Sequence, residues 1–256
     1  FIPLSDSSIT AADMGVADET VRTEVLNWLH GTEGTVRESR RLGAIYHTSP
    51  VIVGPPTAEL PLASYNNGPH ESVGVSFSSK SNRVGFRQLY ARRPHVIYSA
   101  TMDGVLHAFD LEPETDQNPE IWGFVPPMLL KSLDTQRLGQ MFLLDGHILV
   151  RDIRLWKEED GSDTEEWATV LVMGLRHGGG TRGYFALDVT APYQGAGAPD
   201  PEEAFGGTSG GTIGSPALPP YGNPTLLWEI TNSTEAEPFF PSEDPRYFWG
   251  LGQTYG

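Results

Sequence analysis

The strongest constraint on the fold is a pattern that occurs twice, in the same order, along the chain. The first copy reads His95-Val96-Ile97-Tyr98-Ser99-Ala100, an Asp103-Gly104 turn, Leu106-His107-Ala108-Phe109-Asp110 and later Glu120-Ile121-Trp122. The second reads Ala168-Thr169-Val170-Leu171-Val172-Met173-Gly174, a glycine-rich turn within Gly178 to Gly183, Tyr184-Phe185-Ala186-Leu187-Asp188 and later Leu226-Leu227-Trp228-Glu229. Each copy is a strand, a turn, a second strand closing on Ala-apolar-Asp, and a later strand that carries Trp. A unit of this kind buries its faces only against neighbouring units, so radial stacking of small antiparallel sheets is expected. Asp110 and Asp188 lie 78 residues apart. Compact propeller repeats take roughly 40–50, so long insertions must decorate each unit.

Composition points the same way. Gly 29 and Pro 21 favour many turns over long helices, and 38% apolar with 10% aromatic residues is ample for a folded core. Further strand-like runs are Ile45 to Val53, His95 to Thr101, Val105 to Leu111, Ile148 to Leu155, Val170 to Leu175 and Tyr184 to Val189. Runs apolar at consecutive positions, such as Val170 to Met173, suit strands covered on both faces. One amphipathic helix is expected after Asp18, with Val21, Val25, Trp28 and Leu29 on one face and Gly31 as its stop. Thr10 and Asp13 have the spacing of a capping arrangement. The expected fold is therefore mainly β: a partial β-propeller built from antiparallel blades with long inserted loops and a short N-terminal helical segment. Residues 1–36 form the helical lead-in and 37–256 the partial propeller, expected to continue past the end of the chain.

The net charge of −16 repels phosphate backbones and anionic lipid surfaces, so nucleic acid is a poor partner. No apolar run is long enough to span a bilayer. The absence of Cys excludes disulfides, thiolate metal sites and Cys nucleophiles.

Several motifs invite a chemical reading and fail on context. Gly207-Thr208-Ser209-Gly210-Gly211 has the nucleophile-elbow pattern, but no apolar strand precedes it and no helix follows, so a loop is expected. Gly178-x-Gly180-x-x-Gly183 fits a dinucleotide fingerprint only in form, because a strand follows where a helix is required. Arg176 and Arg182 are then loop charges or inter-blade hydrogen bonders. The His residues lack zinc-ligand spacing, and His47 and His107, inside strand runs, are expected to serve the core or the junction between blades. Asp110 and Asp188 end their strands, where a carboxylate accepts the N–H groups of the following turn. Glu158 to Glu166 is expected to form an acidic hairpin tip or loop, without the ligand spacing of a calcium loop. The stretch Pro192 to Pro224 reads as a loop, and Asn232-Ser233-Thr234 as a formal glycosylation sequon. No catalytic, cofactor-binding or metal-ligating residue is assigned.

Leu42-Gly43-Ala44-Ile45-Tyr46-His47-Thr48-Ser49-Pro50-Val51, the Asp103-to-Asp110 core, Trp122-Gly123-Phe124-Val125-Pro126-Pro127, Gly174-Leu175-Arg176-x-Gly178-Gly179 and Ala186-Leu187-Asp188-Val189-Thr190 stand in that order. Together they resemble the C-terminal β-propeller region of the PilC/PilY family, large type IV pilus biogenesis factors and tip adhesins, over about Val21 to Gly256. Ala44, where the family usually carries Asp, and Thr48, where Ser is common, are departures. The resemblance implies a protein exported through the periplasm to the cell surface and pilus tip. It also implies support of pilus extension and twitching motility, cooperation with minor pilins, contact with host or abiotic surfaces, and no catalytic chemistry. The calcium loop of some family members lies past Trp249 to Tyr255, so no residue here inherits a calcium role and no cofactor is expected in this segment. The family's variable N-terminal region is likewise absent from this stretch. The remainder of the propeller or a second chain is expected to complete the ring. A quinoprotein-like propeller dehydrogenase is the competing enzymatic reading, weakened by the lack of Cys, and an outer-membrane assembly scaffold is a third.

Overall fold

The computed structural model describes residues 7–57, 65, 86–90, 93–113, 119–159, 162–190 and 224–231. The Gly207 to Gly211 motif, the Asn232 sequon, the Trp249 to Tyr255 stretch and the Pro192 to Pro224 segment, save its last residue, lie outside the described residues.

The lead-in begins with a reciprocal pair in which the Thr10 N–H and hydroxyl donate to Asp13 Oδ2, both at 2.7 Å, while the Asp13 N–H donates to Thr10 Oγ1 at 3.3 Å. Helix α1 spans Glu19–His30, where Asp18 accepts from the N–H groups of Thr20 and Val21. It ends at Gly31, whose φ of 61° is the left-handed conformation that closes helices and that L side chains resist. Arg22, Val25, Leu26 and Trp28 are its buried residues, while Val21 and Leu29 are half-buried. The buried stripe is thus rotated from the expected one towards Arg22, whose Nε donates to Ile9 O at 2.6 Å.

Among the described residues, eight strands form two four-stranded antiparallel sheets, each in sequential order. The first holds β1 (Val51–Val53), β2 (Val96–Ala100), β3 (Leu106–Asp110) and β4 (Glu120–Phe124), with the short α2 (Phe86–Leu89) between β1 and β2. A 3-10 turn over Pro127–Ser132 and α3 (Leu133–Leu138) lead to the second sheet. It holds β5 (Ile148–Glu159), β6 (Ser162–Gly174), β7 (Gly183–Asp188) and β8 (Thr225–Thr231). A sequential four-stranded meander is the blade unit of a propeller.

The repeat holds at the level of register. Ala108 sits between Tyr98 and Trp122, and Ala186 between Val172 and Trp228. Both sheets break register at the same place, after Ala108 and after Ala186, leaving Ile121 and Leu227 as the extra residues. A small side chain opposite each indole gives the Trp room on the sheet face.

The face of the first sheet that carries Tyr98, Ala100, Leu106, Trp122 and Phe124 is buried in one cluster with Leu171, Met173, Phe185 and Leu187 of the second. The Phe124 and Phe185 rings meet at 5.7 Å. Val25 and Leu26 of α1 join the same cluster. The equivalent Ala–Trp face of the second sheet holds Ala168, Val170 and Ala186 with half-buried Val172 and Trp228. Leu149, Tyr184 and Ile230, on that same face by register, are 50%, 58% and 41% exposed.

The strand expected over Ile45 to Val53 is only Val51–Val53. Residues before it cross the β2–β3 turn, where Ala44 O accepts from Met102 N at 2.9 Å, instead of running beside another strand. Ile45 and Tyr46 are consequently exposed, and His47 is not in a strand. β5 and β6 extend well past the expected Ile148 to Leu155 and Val170 to Leu175. Their register runs to Glu159 opposite Ser162, so the described part of the acidic segment lies in the paired far end of a long hairpin, and residues 160–161 lie outside the described residues.

Candidate functional site

The side chains that bear chemistry gather at junctions between chain segments far apart in sequence. The first junction lies ahead of the leading strand of each sheet. Val51 and Leu149 hold equivalent register positions, and four residues before each stand His47 and Asp145. These equivalent residues face one another: His47 Nδ1 lies 3.1 Å from Asp145 Oδ2. The Asp145 carboxylate is fully buried and also accepts from His177 N at 3.1 Å and Arg176 Nη1 at 3.4 Å. Since its other two partners are donors, a carboxylate here requires that His47 donate from Nδ1. The rings of Tyr46, His47, Phe142 and His177 surround this hub, with Tyr46 and Phe142 centroids 5.1 Å apart and Phe142 and His177 at 5.7 Å.

Backbone strain shapes the same junction. Arg176 has φ of 62°, and Gly178, Gly179 and Gly180 have φ of 55°, 60° and 106°. That run folds the β6–β7 connection back so that Gly179 N donates to Phe142 O at 2.9 Å. β7 then opens at Gly183, a strand where a nucleotide fold would place a helix. Arg176 is a half-exposed loop charge that pairs with Asp145 within the second sheet, between the β6–β7 connection and the lead-in to β5, and not between blades.

The second junction ties the lead-in to the first sheet. Arg37 stacks over the Trp28 ring at 4.8 Å, and its Nη2 lies 2.5 Å from Asp103 Oδ2, a charge contact outside hydrogen-bond geometry. Thr101 Oγ1 donates to Asp103 Oδ1 and lies 3.3 Å from His107 Nε2. His107 Nδ1 in turn lies 2.6 Å from Glu120 Oε1. That contact with His107 holds the Glu120 carboxyl below the usual range, against its own desolvation. The Asp103-Gly104 dipeptide makes the expected turn, with Gly104 at φ of 93°, but its Asp is buried and ion-paired as well.

The third junction joins the two sheets through Arg93. Its Nε and Nη2 donate to Gly54 O at 2.8 and 2.5 Å, and its Nη1 to Thr169 Oγ1 at 2.6 Å and Thr190 O at 3.3 Å. Thr169 Oγ1 donates to Asp152 Oδ1 at 2.6 Å, and the Tyr65 hydroxyl to Asp152 Oδ2 at 2.5 Å. Burial lowers the Arg93 pKa and raises that of Tyr65. Tyr65 also packs edge-on against Trp167 at 4.8 Å, fixing the root of the long hairpin.

The strand-ending carboxylates behave as their position suggested. Asp110 Oδ1 accepts from Glu112 N and Asp188 Oδ1 from Thr190 N, each at 2.9 Å. Asp145, Arg93, Asp152, Tyr65 and Glu229 were not singled out from sequence. For Asp145 a signal existed, since Asp145-Gly146 repeats the Asp-Gly dipeptide of the first copy. Among the described residues no group of three or more His, Cys, Asp or Glu is placed to hold a metal ion. None of the described helices is long and apolar enough to cross a membrane.

Sequential meanders joined by buried polar bridges define a mainly β protein of propeller-blade type. No protein-family model matches the chain. The type IV pilus biogenesis factor PilY1 homolog of Xylella fastidiosa is 32% identical over 225 residues, 82% of this chain and 16% of that protein. The type IV pilus biogenesis factor PilY1 of Pseudomonas aeruginosa is 28% identical over 179 residues, 67% of this chain and 13% of that protein. The crystal structure of the Pseudomonas aeruginosa PilY1 C-terminal domain is 30% identical, covering 57% of this chain and 20% of that one, with a TM-score of 0.29. The chain belongs to the PilC/PilY family of type IV pilus biogenesis factors. It spans less than a fifth of the length of the curated relatives it matches.

Proposed function

We propose that this chain is a non-enzymatic scaffold segment of a type IV pilus biogenesis factor and tip adhesin, acting at the pilus tip outside the cell in assembly and surface attachment. The observation that carries this reading is the 32% identity over 225 residues to a pilus biogenesis factor. The geometry supports it. The buried ionisable groups Asp145, Asp103, Arg37 and Arg93 bridge one segment to another, the work of a scaffold, and are not gathered around a reacting centre. A rigid sheet frame with variable connections suits contact with minor pilins or with a host or abiotic surface. On this reading the segment works without a cofactor, and the open Ala–Trp face of the second sheet seats the next blade of the same toroid.

The test is an in-frame deletion of this segment from its gene. Surface pili counted by electron microscopy should fall sharply while total pilin on an immunoblot stays unchanged, and attachment should fall with them. Normal piliation and attachment in the deletion strain would overturn the reading.

A further inference from the structure

We propose that His47 and His177 form a surface site for a late first-row divalent metal ion, with Asp145 as its buried support. The Asp145 carboxylate accepts the Nδ1–H of His47, as argued above, so the lone pair of His47 sits on Nε2, the far side of the ring. A histidine whose second nitrogen donates to a buried carboxylate is the usual form of a metal-bound imidazole: the carboxylate sets the tautomer, orients the ring and raises its basicity.

A second imidazole stands within reach. The His47 and His177 ring centres are 6.4 Å apart with planes inclined at 36°. Two imidazoles sharing one ion at about 2.0–2.1 Å and a tetrahedral angle have ring centres roughly 5 Å apart, so the pair has about 1 Å to close. Both side chains lie at the surface, and rotation of the His177 side chain closes the pair while His47 keeps its contact with Asp145. The same Asp145 fixes both histidines, since its Oδ1 accepts the backbone N–H of His177 at 3.1 Å. Tyr46, edge-on to His47 at 3.9 Å, and Phe142, 5.7 Å from His177, flank the pair with aromatic rings.

Imidazole pairs suit zinc, copper and nickel and not calcium or magnesium. With two protein ligands the remaining positions face outward, open to water or to an oxygen or nitrogen ligand of a docking partner. The Arg176 guanidinium, 3.4 Å from Asp145, offsets part of the carboxylate charge and keeps the site weaker than a structural zinc centre.

Zinc alone, titrated into the purified chain by calorimetry, should show one site per chain. His47→Gln and His177→Gln should each weaken it at least tenfold. His95→Gln, at an exposed histidine paired loosely with Glu112 and outside the site, should leave it unchanged. Nitrogen hyperfine splitting from two imidazoles should appear in the copper-loaded chain and fall to one in either variant. Metal-free melting curves of the variants, matched to the parent, confirm that both still fold. No zinc binding by the parent chain, or binding equally strong in the His47 and His177 variants, would overturn the proposal.

Discussion

At the residue scale, the least expected feature is a buried acid on the last strand of the second sheet. Glu229 is 7% exposed and opposite Phe185, with Met128 N donating to its Oε1 at a long 3.4 Å. Burial pushes its carboxyl up to about 7, and the Met128 N–H only partly offsets this. The folded pKa lies above the unfolded one near 4.5, so the native state binds the extra proton. Its stabilising effect is complete below the unfolded value and is lost as pH rises through about 7. Replacing the carboxylate with a neutral amide removes that loss. Glu229→Gln should therefore raise stability at pH 8 by about 2–3 kcal/mol, read by urea denaturation, and leave it unchanged at pH 4. Equal gains at both pH values would show that packing is responsible, with no contribution from charge. Nothing in the sequence marks this residue, because Leu227-Trp228-Glu229-Ile230 reads as a strand that alternates its polar position towards solvent. Here the polar position faces the interior instead.

At the element scale, the two copies of the repeat were legible because their signals are local: an Asp-Gly or glycine-rich turn, Ala-apolar-Asp strand ends and a later strand that carries Trp. The bridges were not, because their partners are distant. His47 and Asp145 are 98 residues apart, and Arg93 meets Thr190 across 97. The segment Ile45 to His47 misled for a related reason, since its β-like residues follow a turn edge and not a strand edge. The closest backbone approach marks where the elements cannot give way. A Cβ on Gly146 would lie 1.8 Å from Gly174 O, backbone against backbone, so the loop ahead of β5 and the end of β6 touch only because residue 146 is Gly. Gly146→Ala should cost at least ~3 kcal/mol. By contrast, Gly34→Ala, at φ of +83° with open space around it, should cost about 1–2 kcal/mol from backbone conformation alone. Thermal melts of the two variants check the ranking, and a smaller loss at Gly146 would mean that the β5 loop shifts freely.

At the scale of the whole molecule, a single cluster joins α1 and both sheets, so they should unfold together. Tryptophan fluorescence and far-UV circular dichroism should trace coincident urea transitions. Arg93→Met should shift both by about 3 kcal/mol without separating them, since it strands the acceptors on both sheets. Transitions that part from one another would show that the sheets are stable independently. The expectation of stacked sheets was readable in the chain; the polar bridging that locks their relative position was not.

The two surfaces of each sheet are unlike. One presents Met173 and Phe185 or their counterparts, the other the Ala–Trp ladder, and the contact seen here joins the first kind to the second. Such stacking has a direction, head to tail, so no symmetric pairing satisfies it. A series built this way leaves one surface of each kind at its ends until the last meets the first. Closure into a circle is then the arrangement that spends both ends at once, and a series stopped short retains the capacity to accept another unit only in the orientation its Tyr184 and Ile230 dictate.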